Sequence, residues 1–181
     1  GFYDNCPISL LIKKGYTEII AVRTLGEPLK RKYQPEGVHV IEILPAEPLG
    51  NTLIFDNNII RNNLKMGYFD GLRVIRQLTG QKYYLTDTWH KTAFAHLIAV
   101  PDSVILEIAQ LLSLPDWEPK KLLFEQIIPK LSDFLRLSSY KSYHDFFIAL
   151  LEATAEQYQI DRFRLYDVPQ FIEAIQQHQA S

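Results

Sequence analysis

The feature that most constrains the fold of this chain is a nearly unbroken run of aliphatic and β-branched residues at positions 17–25. Such a run is typical of a strand that is buried on both faces, as strands in parallel sheets are. Directly before it, Asn5 suits the N-cap of a short apolar helix, Pro7 its first turn and Gly15 its left-handed carboxyl cap. Loop, helix and buried strand in this order predict one unit of a parallel α/β sheet.

A second strand and a long helix follow. Residues 38–45 predict the next strand, after a loop with glycine and proline at 26–37. From Asp56, which suits an N-cap, apolar residues recur every three or four positions and predict an amphipathic helix. We expect its apolar stripe to pack against another element, and Gly67 and Gly71 to let a neighbouring backbone approach closely. The stripe comprises Ile60, Leu64, Tyr68, Leu72 and Ile75.

The remainder of the chain, residues 81–181, is predicted to be helical throughout. Pro129 is expected to kink or split the helix that contains it, because proline removes a backbone donor and clashes with the preceding turn. The sequence therefore predicts an α/β fold in which residues 1–80 form the remnant of a parallel sheet, with two strands and flanking helices, followed by a mainly α-helical carboxy-terminal region. Helix starts or N-caps are expected at Pro101, Pro119, Ser142 and Asp167.

Residues 1–25 resemble the region around the catalytic aspartate of patatin-like phospholipases, where Asp-Gly-Gly is followed by an apolar pair, Asp-Asn-x-Pro, a helix, a glycine and a strand. More loosely, residues 38–45 are similar to the next strand of that family, and Gly-Tyr-Phe-Asp-Gly at 67–71 is similar to part of a helix in its bacterial members. The resemblance implies that the sheet is patatin-like. The tail of the Asp-Gly-Gly motif corresponds to Gly1, Asp4, Asn5 and Pro7.

The family's catalytic residues are a serine in a Gly-x-Ser-x-Gly turn and the aspartate of the Asp-Gly pair. None of the eight serines in this chain has glycine two residues away on both sides, so none lies in the strained turn that presents such a nucleophile. By the resemblance, the aspartate would precede Gly1 by two positions. We therefore expect the carboxy-terminal segment of a bacterial serine acyl hydrolase that acts on lipid esters, with both catalytic residues upstream and none in this chain.

Composition and charge exclude several other functions. A formal net charge of −2 gives no electrostatic case for binding nucleic acid. His90 and His96 are six residues apart and cannot share a metal ion from one helix face, so no metal or other cofactor is expected. The single cysteine, Cys6, excludes an internal disulfide and is compatible with a reducing cytoplasm. Because no apolar run reaches the roughly 18 residues of a membrane span, we expect a cytoplasmic protein, with peripheral membrane contact left open.

Three functions stay open on the sequence alone. The first is the hydrolase, completed by the missing amino-terminal portion of the same protein and acting on a lipid or ester substrate. The second is a non-catalytic interaction or lid module formed by the helical region, and the third is an inactive relative. Because two strands without sheet neighbours expose backbone edges and apolar faces, we expect the chain to bind its amino-terminal portion, to form homo-oligomers, or to hide the strands behind its helices.

Overall fold

The structure, a computed structural model, describes residues 6–24, 36–51, 56–86, 93–135 and 142–179. The chain divides into two compact units, residues 1–78 and 79–181. In order, unit 1 contains α1 (Ile8–Lys13), β1 (Glu18–Val22), β2 (His39–Ile43) and α2 (Asn57–Arg76). Unit 2 contains β3 (Tyr84–Thr86), α3 (Ala93–Ile98), α4 (Asp102–Leu111), α5 (Pro119–Leu122), a π-helical turn (Leu123–Ile127), α6 (Ile128–Phe134), α7 (Tyr143–Gln157), β4 (Leu165–Asp167) and α8 (Val168–Gln179). The predicted combination of an α/β part with a helical carboxy-terminal region is confirmed.

The start of unit 1 follows the predicted order of helix, glycine and strand. Gly15 has φ of +89°, and its N–H and that of Tyr16 donate to carbonyls of the last turn of α1 at 2.9 and 3.2 Å. This is a Schellman motif, which closes the helix and turns the chain into β1. Pro7 directly precedes the helix, whose first residue is Ile8. The prediction that Pro7 lies inside the first turn is therefore wrong by one position.

β1 and β2 pair in parallel over their full lengths, with Ile20 opposite Ile41. One face of β1 is buried through Ile19 and Ala21, but on the other face Ile20 is 64% and Val22 73% exposed. Registered partners in a sheet share a face, and Ile41 is accordingly 43% exposed. The prediction that the first strand is buried on both faces is wrong here, because no described element of unit 1 covers the second face.

The helix α2 begins as predicted but turns a different side inward. Asp56 is its N-cap, and Oδ1 accepts the N–H groups of Asn58 and Ile59 at 2.7 and 3.1 Å. The buried residues of the helix are Met66 and Asp70. The predicted stripe is largely exposed, at 41 to 74% for Ile60, Leu64, Tyr68 and Ile75. The expectation that this stripe packs against another element fails within the described residues, because α2 directs a partly polar side toward the chain after β2.

Unit 2 contains a second pair of strands in a region predicted to be helical throughout. β3 and β4 are parallel, with Leu85 opposite Tyr166, and both side chains are buried. They belong to a core cluster that also includes Phe171 and Ile175 of α8. The prediction of an all-helical region is therefore wrong, because a strand of three residues is too short to show a period of its own in the sequence.

The helices of unit 2 begin largely where the sequence places them. Ser142 Oγ accepts the N–H of Asp145 at 3.1 Å, and Asp167 Oδ1 accepts that of Gln170 at 2.8 Å. The predicted distortion near Pro129 takes the form of the π-helical turn, which lies directly before the turn that contains this proline. Among the described helices, none is long and apolar enough to cross a membrane.

Candidate functional site

An apolar cleft opens at the carboxyl ends of β1 and β2 in unit 1. Its volume is about 310 Å³, and its walls come from the strand ends, the loop at residues 44–49 and one side of α2. Ligands of open parallel sheets bind in crevices beyond the carboxyl ends of the strands, and this volume lies at the lower end of small-molecule pockets. The apolar walls include Val22, Ile43, Leu49, Ile60 and Leu64.

The helix α2 fixes the loop after β2 at two points, and this loop forms one wall of the cleft. Asp70 Oδ2 accepts the N–H of Ala46 at 2.9 Å, and Asn63 Nδ2 donates to the carbonyl of Leu49 at 2.8 Å. Asn63 and Asp70 are seven residues apart, which places them on one side of the helix, two turns from each other. Both residues also line the cleft. Polar groups at this wall are thus already engaged by the protein.

Asp70 is the buried charge of this site. Its side chain is 2% exposed, and Oδ1 accepts a hydrogen bond from Arg73 at 2.9 Å. A buried carboxylate is costly unless it is paired and hydrogen-bonded, and the guanidinium of Arg73 together with the N–H of Ala46 meets that need. The sequence drew attention to the stretch 67–71 only through a resemblance, and the tethering role of its aspartate was missed. Nothing in the sequence connects Asp70 to a loop 24 residues earlier.

Gly67 lies between the two tethering side chains on the same side of α2. Among the described residues, no heavy atom lies within 4 Å of a β-carbon placed on Gly67, and the same is true of Gly71. The predicted close approach of a neighbouring backbone is therefore not found in this part of the chain. Gly67 instead leaves open space where α2 lines the cleft, whereas Gly71 is not one of the lining residues.

Among the residues predicted as the tail of the Asp-Gly-Gly motif, Pro7 lies in the described part of the chain, while Gly1, Asp4 and Asn5 lie outside it. Pro7 is exposed at the amino end of α1. That end of α1 and the carboxyl end of β1 are both remote from the tight turn that joins the two elements.

Within the described ranges, no group of three or more histidine, cysteine, aspartate or glutamate side chains is placed to hold a metal ion. Of the two histidines considered in the sequence, His90 lies outside these ranges. His96 is exposed on α3, and its ring stacks on Phe147 with centroids 6.0 Å apart.

A second polar centre lies in unit 2 around Glu152, which is 5% exposed on α7. Its Oε1 accepts the backbone N–H groups of Gln81, Lys82 and Tyr83 at 2.8 to 2.9 Å. Gly80, at φ of +88°, makes room for this oxygen, since a β-carbon there would lie 2.7 Å from it. Three convergent donors satisfy the carboxylate, so the centre holds a turn to α7. Sequence reasoning missed it, because the partners are about seventy residues apart.

Two buried tyrosines of unit 2 each donate a hydrogen bond from the hydroxyl group to a backbone carbonyl. Tyr83 Oη donates to the carbonyl of Ile160 at 3.2 Å, and Tyr166 Oη donates to that of Asp161 at 2.7 Å. Burial raises the pKa of Tyr83 to about 12, with a further contribution from the Glu156 carboxylate. Burial also raises the pKa of Tyr166. Both phenols are therefore neutral donors at physiological pH, which suits a structural role.

Comparisons of the chain with protein-family models, with curated proteins and with solved structures found no match. The class of protein is therefore not given by similarity to a known member.

Proposed function

We propose that this chain is the carboxy-terminal portion of a bacterial, patatin-like serine acyl hydrolase that cleaves lipid esters. The observation that carries the proposal is the apolar cleft at the carboxyl edge of the β1–β2 pair. Residues 1–7 resemble the segment after the family's catalytic aspartate. An apolar cleft suits the hydrocarbon part of an ester substrate.

In this proposal the upstream portion supplies the serine, the aspartate and the oxyanion donors. The aspartate removes the proton of the serine hydroxyl, and the serine oxygen attacks the ester carbonyl; the ester C–O bond then breaks, and the alcohol leaves with that proton. Water, deprotonated by the same aspartate, hydrolyses the acyl-enzyme, which releases the fatty acid and restores the serine hydroxyl. This chain supplies no member of the dyad and needs no cofactor. Its part is to continue the sheet and to bind the substrate's apolar portion. The protein would act in the cytoplasm, in transient contact with the membrane that holds its substrate.

The amino-terminal portion of the same protein is the partner that this proposal requires. Unit 1 carries large apolar side chains in the open away from the cleft, with Ile20 on the sheet 64% exposed and Ile75 on α2 74% exposed. Parallel sheets are normally covered on both faces. Further strands and helices of the same sheet would bury these residues, and a second copy of the chain is the competing way to do so.

The test is to purify the protein from its source, measure its intact mass and treat it with a serine-directed fluorophosphonate. We expect a species longer than 181 residues that is labelled at a glycine-flanked serine outside this chain. The matched control is the recombinant 181-residue chain, which should stay unlabelled. A native protein that begins at Gly1 and does not react with the probe would rule the proposal out.

An exposed aromatic cluster in unit 2 favours a second candidate, a non-catalytic interaction or lid module. The rings of Phe94, Phe124 and Tyr143 lie with centroids 5.4 to 5.6 Å apart, yet Phe94 is 47% and Tyr143 37% exposed. Exposed aromatic patches mark surfaces that bind partners or membrane interfaces. Under this alternative, the full chain would sediment with phospholipid vesicles and Phe94→Ser would lose that binding, whereas the hydrolase requires no such loss.

A further inference from the structure

We propose that unit 1 binds an acidic amphipathic helix of a partner protein, which lies along α2 and inserts apolar side chains into the cleft. The surface that this helix occupies, the α2 groove, comprises the cleft and the exposed side chains of Ile60, Leu64 and Tyr68. The inference goes beyond the proposed function, because the binding is a property of this chain. Where the hydrolase also holds, the partner would compete with the hydrocarbon part of the substrate for the cleft.

The first feature of the α2 groove is an apolar row that no described element covers. Ile60, Leu64 and Tyr68 are 41%, 70% and 65% exposed. They follow one another at intervals of four residues, which places them on one side of the helix. Ile60 and Leu64 also line the cleft, so the row and the cleft form one continuous surface. Such a surface fits the apolar residues that a docked amphipathic helix presents every three or four positions.

The second feature is the concave shape beside this row. The cleft encloses about 310 Å³ between the strand ends, the loop at residues 44–49 and α2, and it is open to solvent. Gly67 lies at its border with the row, and no described heavy atom comes within 4 Å of a β-carbon placed there. The backbone of a partner helix can therefore approach α2 closely at this point. A membrane surface would cover the projecting row but leave the cleft unfilled, so the concave shape favours a protein helix.

The third feature is a basic edge. Arg61 and Lys65 are exposed, one turn apart, on the side of the row away from the cleft. The one acidic residue of α2, Asp70, is buried and bonded to Arg73. Pairing with α2 of a second copy would therefore leave the basic edge without an opposite charge. Acidic residues along the flank of a partner helix would face this edge, which speeds association and fixes the orientation of the helix.

The experiment measures binding of two fluorescent, helical peptides to the full 181-residue chain. Both peptides carry leucine every three or four positions. One has glutamate along the flanks of the leucine row, and the other has lysine at the same positions. We expect the glutamate peptide to bind about threefold to tenfold more tightly, the effect of two solvent-exposed ion pairs. Fluorescence anisotropy gives both dissociation constants.

One pair of variants tests the apolar row. Leu64→Ser should weaken binding of the glutamate peptide about tenfold, because it removes a side chain at the centre of the contact. The matched control is Leu10→Ser on α1, where the leucine is 53% exposed outside the α2 groove, and its affinity should be that of the natural chain. Both leucines are exposed, so both variants should keep the fold, which circular dichroism checks.

A second pair of variants tests the basic edge. In Arg61→Glu/Lys65→Glu the preference should reverse, so that the lysine peptide binds more tightly than the glutamate peptide. Lys13→Glu/Lys14→Glu makes the same change in net charge at the carboxyl end of α1, where both lysines are exposed, and should keep the preference for glutamate. Equal preferences in the two double variants would show that only net charge matters and would overturn the inference.

Other occupants of the α2 groove would give different results, each of which overturns the inference. Neither peptide would bind saturably, or both would bind equally. Sedimentation with vesicles of phosphatidylglycerol and phosphatidylcholine, lost in Leu64→Ser, would assign the row to a membrane surface. A dimer that Leu64→Ser dissociates would assign it to a second copy. Binding by the 181-residue chain but not by a longer native protein would assign it to the amino-terminal portion. Fluorophosphonate labelling of the native protein decides the hydrolase separately, whichever of these results is obtained.

Discussion

Two buried carboxylates, Asp70 in unit 1 and Glu152 in unit 2, have the same task. Each is on a helix and accepts backbone N–H groups from a loop distant in sequence, one from Ala46 and three from the turn after Gly80. A hydrogen bond to a charged acceptor contributes about 1.5 to 3 kcal/mol, more than one between neutral groups. These single side chains therefore determine where the loops lie.

Replacing Glu152 with Gln should lower the free energy of unfolding by about 2 kcal/mol, since the three N–H groups then face an uncharged acceptor. The matched control is Glu156→Gln, one turn further on α7. Glu156 pairs with Lys82 at the surface, with both side chains about half exposed, and such pairs contribute less than about 1 kcal/mol. Urea unfolding of the two variants measures the difference. Equal losses of unfolding free energy in the two variants would show that the three hydrogen bonds to Glu152 contribute no more than the surface ion pair of Glu156.

Tyr83 makes the stability depend on pH in the alkaline range. Its pKa of about 12 in the folded protein lies above the ordinary value of 10.0, so the folded state holds the phenolic proton more tightly than the unfolded chain does. This stabilisation is present below pH 10 and is lost as the pH rises from 10 through 12.

The measurement compares the free energy of unfolding of the natural chain with that of Tyr83→Phe between about pH 8 and 12. The difference between the two proteins should shrink as the pH rises above 10, because phenylalanine has no proton to lose. Lysine and the other tyrosines titrate in both proteins, so their effects cancel. A difference that stays constant over this range would contradict the raised pKa.

At the scale of elements, the loop wall of the cleft depends on the side of α2 that faces it. Asn63 donates to the carbonyl of Leu49, whereas Asn62, its neighbour on the same helix, is exposed. Both Asn→Ala changes improve helix propensity equally. We expect Asn63→Ala to be less stable than Asn62→Ala by about 1 kcal/mol, the contribution of one hydrogen bond. Thermal unfolding of the two variants measures this difference. Indistinguishable unfolding midpoints would show that the hydrogen bond from Asn63 to the loop does not stabilise the protein.

Elements whose signals are local could be predicted from the sequence. The N-caps Asp56, Ser142 and Asp167 bond to N–H groups two or three residues ahead, so a short stretch of sequence contains both partners. The Schellman glycine Gly15 is likewise a property of its own turn. These predictions are confirmed because no distant contact enters them.

Elements that depend on distant partners could not be predicted in the same way. The strands β3 and β4 join Tyr84 to Leu165, and neither is long enough to form without the other. The stripe of α2 predicted to be packed is exposed, because the pairing of Asp70 with the loop at Ala46 decides which side of the helix turns inward. Periodicity identifies an apolar stripe, but it does not identify what covers it.

At the scale of the whole molecule, unit 1 leaves large apolar side chains exposed on one face of β1. In Ile20→Thr/Val22→Thr we expect the free energy of unfolding to change by less than about 0.5 kcal/mol per site, because both side chains are already open to solvent. Threonine keeps the β-branched shape that suits a strand. Apolar dye binding and self-association, measured by fluorescence and sedimentation, should both fall.

The control for this double variant is Ile19→Thr on the opposite face of β1. Ile19 is 5% exposed, so its replacement leaves a gap and buries a hydroxyl, at about 2 kcal/mol. If the double variant proved as damaging as Ile19→Thr, the Ile20 face would have to be covered in solution by another molecule. Concentration-dependent sedimentation would then identify a second copy.

For the candidate site, too, features formed by neighbouring residues could be predicted from the sequence, whereas features formed by residues far apart could not. The motif at residues 1–7 can be read along the chain, and so can the absence of a glycine-flanked serine. The cleft cannot, because it is formed by two strand ends, a loop and a helix that lie as many as 48 residues apart, from Val22 to Asp70.

The turn after Gly80 has an evolutionary consequence. Two separate constraints act on this position: φ of +88°, and the lack of room for a β-carbon beside Glu152 Oε1 and the Tyr83 carbonyl, both 2.7 Å away. We therefore expect the residues at positions 80 and 152 to change together among related proteins. A descendant that substitutes alanine at 80 while retaining the glutamate would have to rebuild the turn, and an alignment of relatives should show this as covariation of the two columns.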